Sequence, residues 1–139
     1  MQISPKGIAL IERNEGFRPN VYDDNGKKAI GFGHDIAPGE ADSFSAGISL
    51  AQAQQLLLSD LVPVQEVLQS IVPPTCTQNQ WDALCDFGYN LGVGSLKTML
   101  GHGWDQVPIQ IPRWNHENGV VVAGLAARRE AEVALFNTA

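Results

Sequence analysis

Glu15 and Asp24 are the side chains of this chain whose types and spacing could do chemistry together. They lie nine residues apart across the turn-rich stretch Glu15-Gly-Phe-Arg-Pro-Asn-Val-Tyr-Asp-Asp24-Asn-Gly, and Ala29-Ile-Gly-Phe-Gly-His34 follows at once. Two carboxylates can divide the work on one glycosidic bond. One stays neutral and donates a proton to the leaving oxygen, while the other stays ionised against the developing oxocarbenium charge. An apolar helix, an acid, a hairpin, a second acid and a Gly-x-Gly-His strand, in that order, can set both acids at the mouth of one cleft. Asp23 is the neighbour of Asp24 and competes with it, since an aspartate in Asp-Asn-Gly can serve its own turn backbone. Glu12, one turn before Glu15, reads as a solvated helix residue.

The elements that must position these groups are legible in outline. Ser4-Pro5 supplies a cap and a first helical residue, with Ile8, Leu10 and Ile11 as the apolar side of a helix ending near Asn14 to Gly16. Pro19-Asn20, Asp24-Asn25-Gly26 and the Gly31/Gly33 pair mark turns around a short strand at Ala29-Ile-Gly-Phe. Residues 36–48 read as loop. Ser49-Leu-Ala-Gln52 is a capping-box pattern opening a long helix whose apolar face takes in Leu56, Leu57, Leu61, Val64, Val67, Leu68 and Ile71. Pro63 should kink that helix and Pro73-Pro74 should end it.

Thr77-Gln-Asn-Gln80 is a second capping box, before a helix from Trp81 to about Asn90 with Trp81, Leu84, Cys85 and Phe87 facing inward. Gly92-Val-Gly94 should break it ahead of a short helix over 95–100. Gly101 to Pro112 is expected to be irregular, Asn118-Gly119 to turn, and a last helix to run from about Val122 to Phe136. The whole reads as one α+β domain over residues 1–139, mostly helical with a small sheet near its N-terminus. It divides into a β-containing lobe of about 14–60 and a helical lobe of about 61–139 joined by the N-terminal helix, with the long helix between them.

Composition limits the function classes. The formal charge is −6, from 9 basic and 15 acidic residues, which disfavours nucleic acid and anionic surfaces. No apolar run reaches the roughly 18–20 residues of a membrane span, and the N-terminus lacks signal-peptide character. A cytoplasmic origin is expected. Cys76 and Cys85 then read as reduced thiols, at least Cys85 semi-buried. Neither Cys-x-x-Cys nor clustered His/Cys spacing occurs, so no metal and no cofactor are expected.

Several motifs together resemble one family. Glu15-Gly-Phe-Arg18, Tyr22, Asp24 and Ile30-Gly-Phe-Gly-His34 are similar to the active-site hairpin of the phage-type lysozymes, the endolysin muramidases. Ala83-Leu-Cys-Asp-Phe87-Gly-Tyr-Asn90-Leu-Gly-Val-Gly-Ser-Leu resembles their central-helix signature. Arg113-Trp114-Asn115 and Gly124-Leu-Ala-Ala-Arg128-Arg129-Glu-Ala-Glu132 resemble their C-terminal pattern. The likeness covers nearly the whole chain, with residues 99–111 shorter than the family pattern.

The resemblance implies a lysozyme-like fold and hydrolysis of the β-1,4 bond between N-acetylmuramic acid and N-acetylglucosamine in peptidoglycan. It implies Glu15 as the catalytic acid, Asp24 as the second carboxylate, and Tyr22, Phe32 and Asn90 as substrate contacts. Asn90 can equally cap the end of its helix. His34 and Asp60 are implied as a structural ion pair, not as a base. Trp81 and Trp114 are expected in the core; Arg128 and Arg129 are free to pair with acids, to contact peptide stems or to lie on the surface. The implied partner is the glycan strand, met by a monomer. With no leader of its own, the protein would wait in the host cytoplasm for a separate holin-type protein to release it to the periplasmic wall.

One position departs from the family pattern. A Thr usually stands immediately before Ile-Gly-x-Gly-His, with five residues between it and the Asp, where its hydroxyl would hold the attacking water. Here that place is Ala29, with four residues, Asn25 to Lys28, intervening. Another polar group such as Asn25 or a backbone carbonyl takes over, or the enzyme is slow, or Ala29 reduces its activity. Inversion is expected if the carboxyl groups stand roughly 6.5–9.5 Å apart. A lytic transglycosylase, which could dispense with Asp24, and a catalytically weakened wall-binding module are the competing readings.

Overall fold

The computed structural model describes all residues, Met1 to Ala139. Helix α1 (Pro5–Glu15) begins as its sequence dictates, with Ser4 Oγ accepting from the Gly7 amide at 3.2 Å. An unanticipated partner completes the cap. Asp82 is fully buried and accepts from both the Ser4 amide and the Ser4 hydroxyl, setting an anion where the exposed amides of a helix N-terminus favour one. Gly7 leaves room for it, because a Cβ there would lie 2.7 Å from Asp82 Cγ. The helix stops at Gly16, whose left-handed φ of 71° lets its amide return to the Glu12 carbonyl at 2.9 Å.

Strands β1 (Arg18–Asp24), β2 (Lys27–Gly31) and β3 (His34–Asp35) form an antiparallel sheet in the order β1-β2-β3. The β1–β2 loop is the dipeptide Asn25-Gly26, with φ of 50° and 84°. Positive φ at both central residues is the tight hairpin turn that matches strand twist, and Asn-Gly is its preferred sequence. The turn sets the register: Asp24 opposite Lys27, Asp23 opposite Lys28 and Tyr22 opposite Ala29. The segment 36–48, expected as loop, contains a 3-10 turn at Ala41–Phe44, and its Ile48 amide reaches the Pro19 carbonyl at 2.9 Å.

Helix α2 (Leu50–Ile71) starts on the expected capping box, Ser49 and Gln52 each bonding the other's amide. It continues across Pro63 as one helix. Its buried face is Ala53, Leu57, Leu61, Val64 and Leu68, at steps of three and four. Ile71, expected on that face, is exposed. Helix α3 (Gln78–Leu100) opens on the Thr77/Gln80 capping box and passes Gly92, whose φ of 89° and ψ of 164° are not helical. The expected break is present, as a kink at Gly92 where two helical segments meet. Trp81 to Gly88 are all buried, so this segment is surrounded on every side.

The stretch expected to be irregular forms short helical turns instead: 3-10 turns at Trp104–Gln106 and Ile111–Arg113 around α4 (Val107–Gln110). Val107 and Ile111 are completely buried, and it is their burial that orders the segment despite its prolines. A second sheet, not anticipated, joins β4 (His116–Glu117) and β5 (Val120–Val121) through Asn118-Gly119, again with both φ positive at 51° and 77°. Helix α5 (Ala123–Phe136) closes the chain.

The fold is thus α+β and mostly helical, as expected, with a second small sheet added. It comprises two compact units, residues 11–62 and residues 1–10 with 63–139. Trp81 is buried in the second unit, where Trp114 packs edge-on against Phe87 and Trp104 lies tilted against Phe136. Cys76 and Cys85 are both free and buried, and burial raises both thiols above their ordinary value.

Candidate active site

Strand alternation sorts the acids of the hairpin. Neighbouring residues point to opposite faces, so Tyr22 and Asp24 share one face and Asp23 takes the other. On its own face Asp23 is met by its cross-strand partner Lys28, with Nζ 2.6 Å from Oδ1, both side chains exposed. Asp24 is exposed and lies opposite Lys27 without an ion-pair contact. The hairpin therefore gives the two adjacent aspartates different surroundings.

Glu15 is the last residue of α1 and is partly buried. Its carboxylate lies against Gly33, between β2 and β3: a Cβ at Gly33 would stand 2.7 Å from Oε2. Gly33 also has a φ of 81°, which favours glycine there, and a side chain at that position would displace the carboxylate. Glu12 is not the solvated residue expected. It is half-buried and accepts from Gln54 Nε2 at 3.0 Å.

Tyr22 ties the site together. The Arg18 guanidinium carbon lies 4.4 Å above its ring centre. Burial raises the phenol above its ordinary value, and the charges of Asp24 and then Glu15 raise it further, against the lowering effect of Arg18. Both carboxylates thus act on the same phenol. Asp35 adds to them. It stands opposite Ala29 in β3, as Tyr22 does in β1, and no spacing in the sequence points to it. Ala29 itself has no exposed surface, and its methyl group offers a water no hydrogen bond.

The remaining expected residues are distributed. Phe32 is buried at 4% exposure against Phe17, with ring centres 5.6 Å apart, and presents almost no surface to a ligand. Asn90, in the other unit, lies in the last turn before the non-helical Gly92, near a helix end as expected, and its Oδ1 accepts from Arg129 Nη2 at 2.9 Å. That bond fixes the amide, directing its NH2 away from Arg129.

His34 and Asp60 are brought together, with Nδ1 2.7 Å from Oδ2, and His34 Nε2 stands 3.9 Å from Glu40 Oε2. Burial raises the Asp60 carboxyl, and the His34 hydrogen bond and charge offset this only in part. An acid raised by folding contributes stability in its protonated form. That contribution is complete below the unfolded value of about 4 and is lost as pH climbs through the raised one. Asp60→Asn removes the half-buried charge and keeps an acceptor for His34. We expect it to be neutral or slightly stabilising at pH 8. At pH 5, where more of the contribution of the raised Asp60 carboxyl is present, it should destabilise by up to about 1 kcal/mol. Thermal melts at both pH values check this, and equal shifts at the two would remove the pair as the source of the pH dependence.

A family model described as phage lysozyme matches residues 12–132. The chain belongs to the phage lysozyme family. Its sequence is 35% identical to the endolysin of Bacillus phage PZA over 99% of this chain and 56% of that one. It is 32% identical to the endolysin of Acyrthosiphon pisum secondary endosymbiont phage 1 over the full length of both. The chain spans about half the length of the Bacillus phage PZA and B103 relatives, 56% and 55%. Among solved structures, the muramidase domain of SpmX from Asticaccaulis excentricus superposes with a TM-score of 0.82 at 31% identity, covering 99% of each chain. A point mutant of P22 lysozyme superposes with a TM-score of 0.79 at 29% identity, also covering 99% of each. These neighbours carry the lysozyme-like fold that the helices and small antiparallel sheets of this chain share.

Proposed function

We propose that this chain is a peptidoglycan-cleaving glycoside hydrolase that cuts the β-1,4 bond between N-acetylmuramic acid and N-acetylglucosamine. In this reading Glu15 protonates the glycosidic oxygen, and Asp24 faces the positive charge that develops at the anomeric carbon and takes the proton of the attacking water. The carrying observation is the hairpin register, which sets the exposed Asp24 on the face of Tyr22 and sends Asp23 to Lys28, while the half-buried Glu15 carboxylate lies against Gly33 at the other end of the same sheet segment. Asp23 is the weaker candidate because Lys28 already engages it at 2.6 Å. Family membership supplies the chemical class.

The glycan strand is the partner under this reading, and passage across the cytoplasmic membrane falls to a separate holin-type protein. No helix of the chain is long and apolar enough to cross a membrane. The deciding experiment is digestion of purified peptidoglycan with separation of the products. New reducing N-acetylmuramic acid ends are expected. Anhydro-muramyl ends would replace hydrolysis by the transglycosylase reaction, and binding to walls without cleavage would leave only a wall-binding module.

A further inference from the structure

The segment that carries both proposed catalytic acids is poor in hydroxyl groups. Between Ser4 and Ser43 the chain has no Ser or Thr, and Tyr22 is its one hydroxyl side chain. Directly across the ladder from Tyr22 stands Ala29, a methyl group with no exposed surface. A water that attacks a sugar carbon needs more than a base. It must be held in line by a second hydrogen bond, since a misplacement of about 1 Å in a reacting atom costs on the order of 10²-fold in rate.

We propose that Tyr22 is a catalytic residue of the hydrolysis, its phenol hydroxyl holding the attacking water beside Asp24. The proposal rests on the muramidase reading above. Strand alternation puts Tyr22 and Asp24 on one face, while Asp23 leaves that face for Lys28. Arg18, 4.4 Å over the ring, restricts its tilt. The ring is neither buried like Ala29 nor fully exposed like the Asn25-Gly26 turn. The phenol is raised by burial first, then by the negative charges of Asp24 and Glu15, so it keeps its proton wherever the acids work. A neutral hydroxyl can donate to one oxygen and accept from another at once.

The step balances without it gaining or losing a proton. The water oxygen bonds to the anomeric carbon and its proton passes to Asp24. The glycosidic C–O bond breaks and its oxygen takes the proton of Glu15. Tyr22 holds the water and is unchanged.

Tyr22→Phe removes only the hydroxyl and keeps the ring under Arg18. The expected result on purified peptidoglycan is a fall in kcat on the order of 10²-fold, with KM and melting temperature unchanged. Glu15→Gln, assayed beside it, separates the two claims. If Glu15→Gln is inactive and Tyr22→Phe keeps full kcat, the proposal fails and the muramidase reading stands. If Tyr22→Phe raises KM at unchanged kcat, Tyr22 is a substrate contact and not a catalytic residue, and the proposal fails as well. If Glu15→Gln retains full activity, the assignment of the acid falls first.

Discussion

Glu15→Gln should lower peptidoglycan hydrolysis by roughly 10²–10⁴-fold, the range a positioned general acid supplies. The amide is close in size to the carboxylic acid but has no proton to give, so the leaving oxygen would depart as an alkoxide. Substrate affinity should change little, because the shape of the site is kept. The surroundings of Glu15 argue that the loss is chemical and not structural. Its carboxylate sits against the bare Cα of Gly33 in a space that the isosteric amide also fits. Replacing it removes one of the negative charges that, with Asp24 and Asp35, act on Tyr22. Like charges gathered on one face work against folding, so the melting temperature of Glu15→Gln should stay level or rise slightly. Asp24→Asn should be the milder lesion, since the exposed hairpin end leaves water free to replace part of its electrostatic role. Turbidity clearing of chloroform-treated Gram-negative cells, run with circular-dichroism melts, checks both variants. A Glu15→Gln protein that lyses at the parent rate would remove Glu15 from the mechanism.

The features legible in the sequence share a cause: each is decided within a few residues. Ser49/Gln52 and Thr77/Gln80 announce their helices because both partners of a capping box lie within one turn. Asn25-Gly26 announces its hairpin because the two residues alone tolerate the required φ, and the turn then sets which residue faces which. That register is why Asp24 rather than Asp23 shares a face with Tyr22. Asn118-Gly119 carried the same signal, but two-residue strands give no alternation to read, and Val120 and Val121 are both exposed.

What stayed hidden depends on distant partners. Asp82 reads as an ordinary helix residue until α1 is laid against it, 78 residues away in sequence from Ser4. Arg128 and Arg129 gave no sign of whether they would face water. Arg129 is in fact completely buried, and Arg128 forks onto Asp86 with two bonds of 2.9 Å across 42 residues. Arg129 and Glu132 stand one turn apart in α5, and the packing of that helix makes them an interior pair. Asp35 escaped notice because its position depends on β3 pairing with β2, and a two-residue strand does not declare itself.

Loss of that interior arginine is the second large effect expected. Arg129 has no surface, and its guanidinium donates to Glu132 Oε1 at 2.6 Å, to Asn90 Oδ1 at 2.9 Å and to the Trp114 carbonyl at 3.3 Å. Its charge also lies 5.1 Å over the Phe87 ring. Arg129→Met keeps most of the apolar stem and strands three acceptors at once, so it should cost about 3–5 kcal/mol, much of the stability of a small domain. Glu132→Gln should behave differently, although Glu132 is equally buried. Burial, then a hydrogen bond and charge from Asp86, raise the Glu132 carboxyl well above its ordinary value, and Arg129 opposes them only in part. The fold therefore favours the protonated acid. By linkage its contribution is complete below the unfolded value of about 4.3 and shrinks as pH rises through the raised one. Glutamine resembles the protonated acid and does not titrate, so Glu132→Gln should stay within about 1 kcal/mol of the parent and gain on it as pH rises from 5 to 8. Urea unfolding of both variants at pH 5 and pH 8 reads this directly. If Glu132→Gln were as damaging as Arg129→Met and most damaging at pH 8, Glu132 would be an ionised partner of Arg129. The network would then be a charged pair and not an arginine held by neutral acceptors.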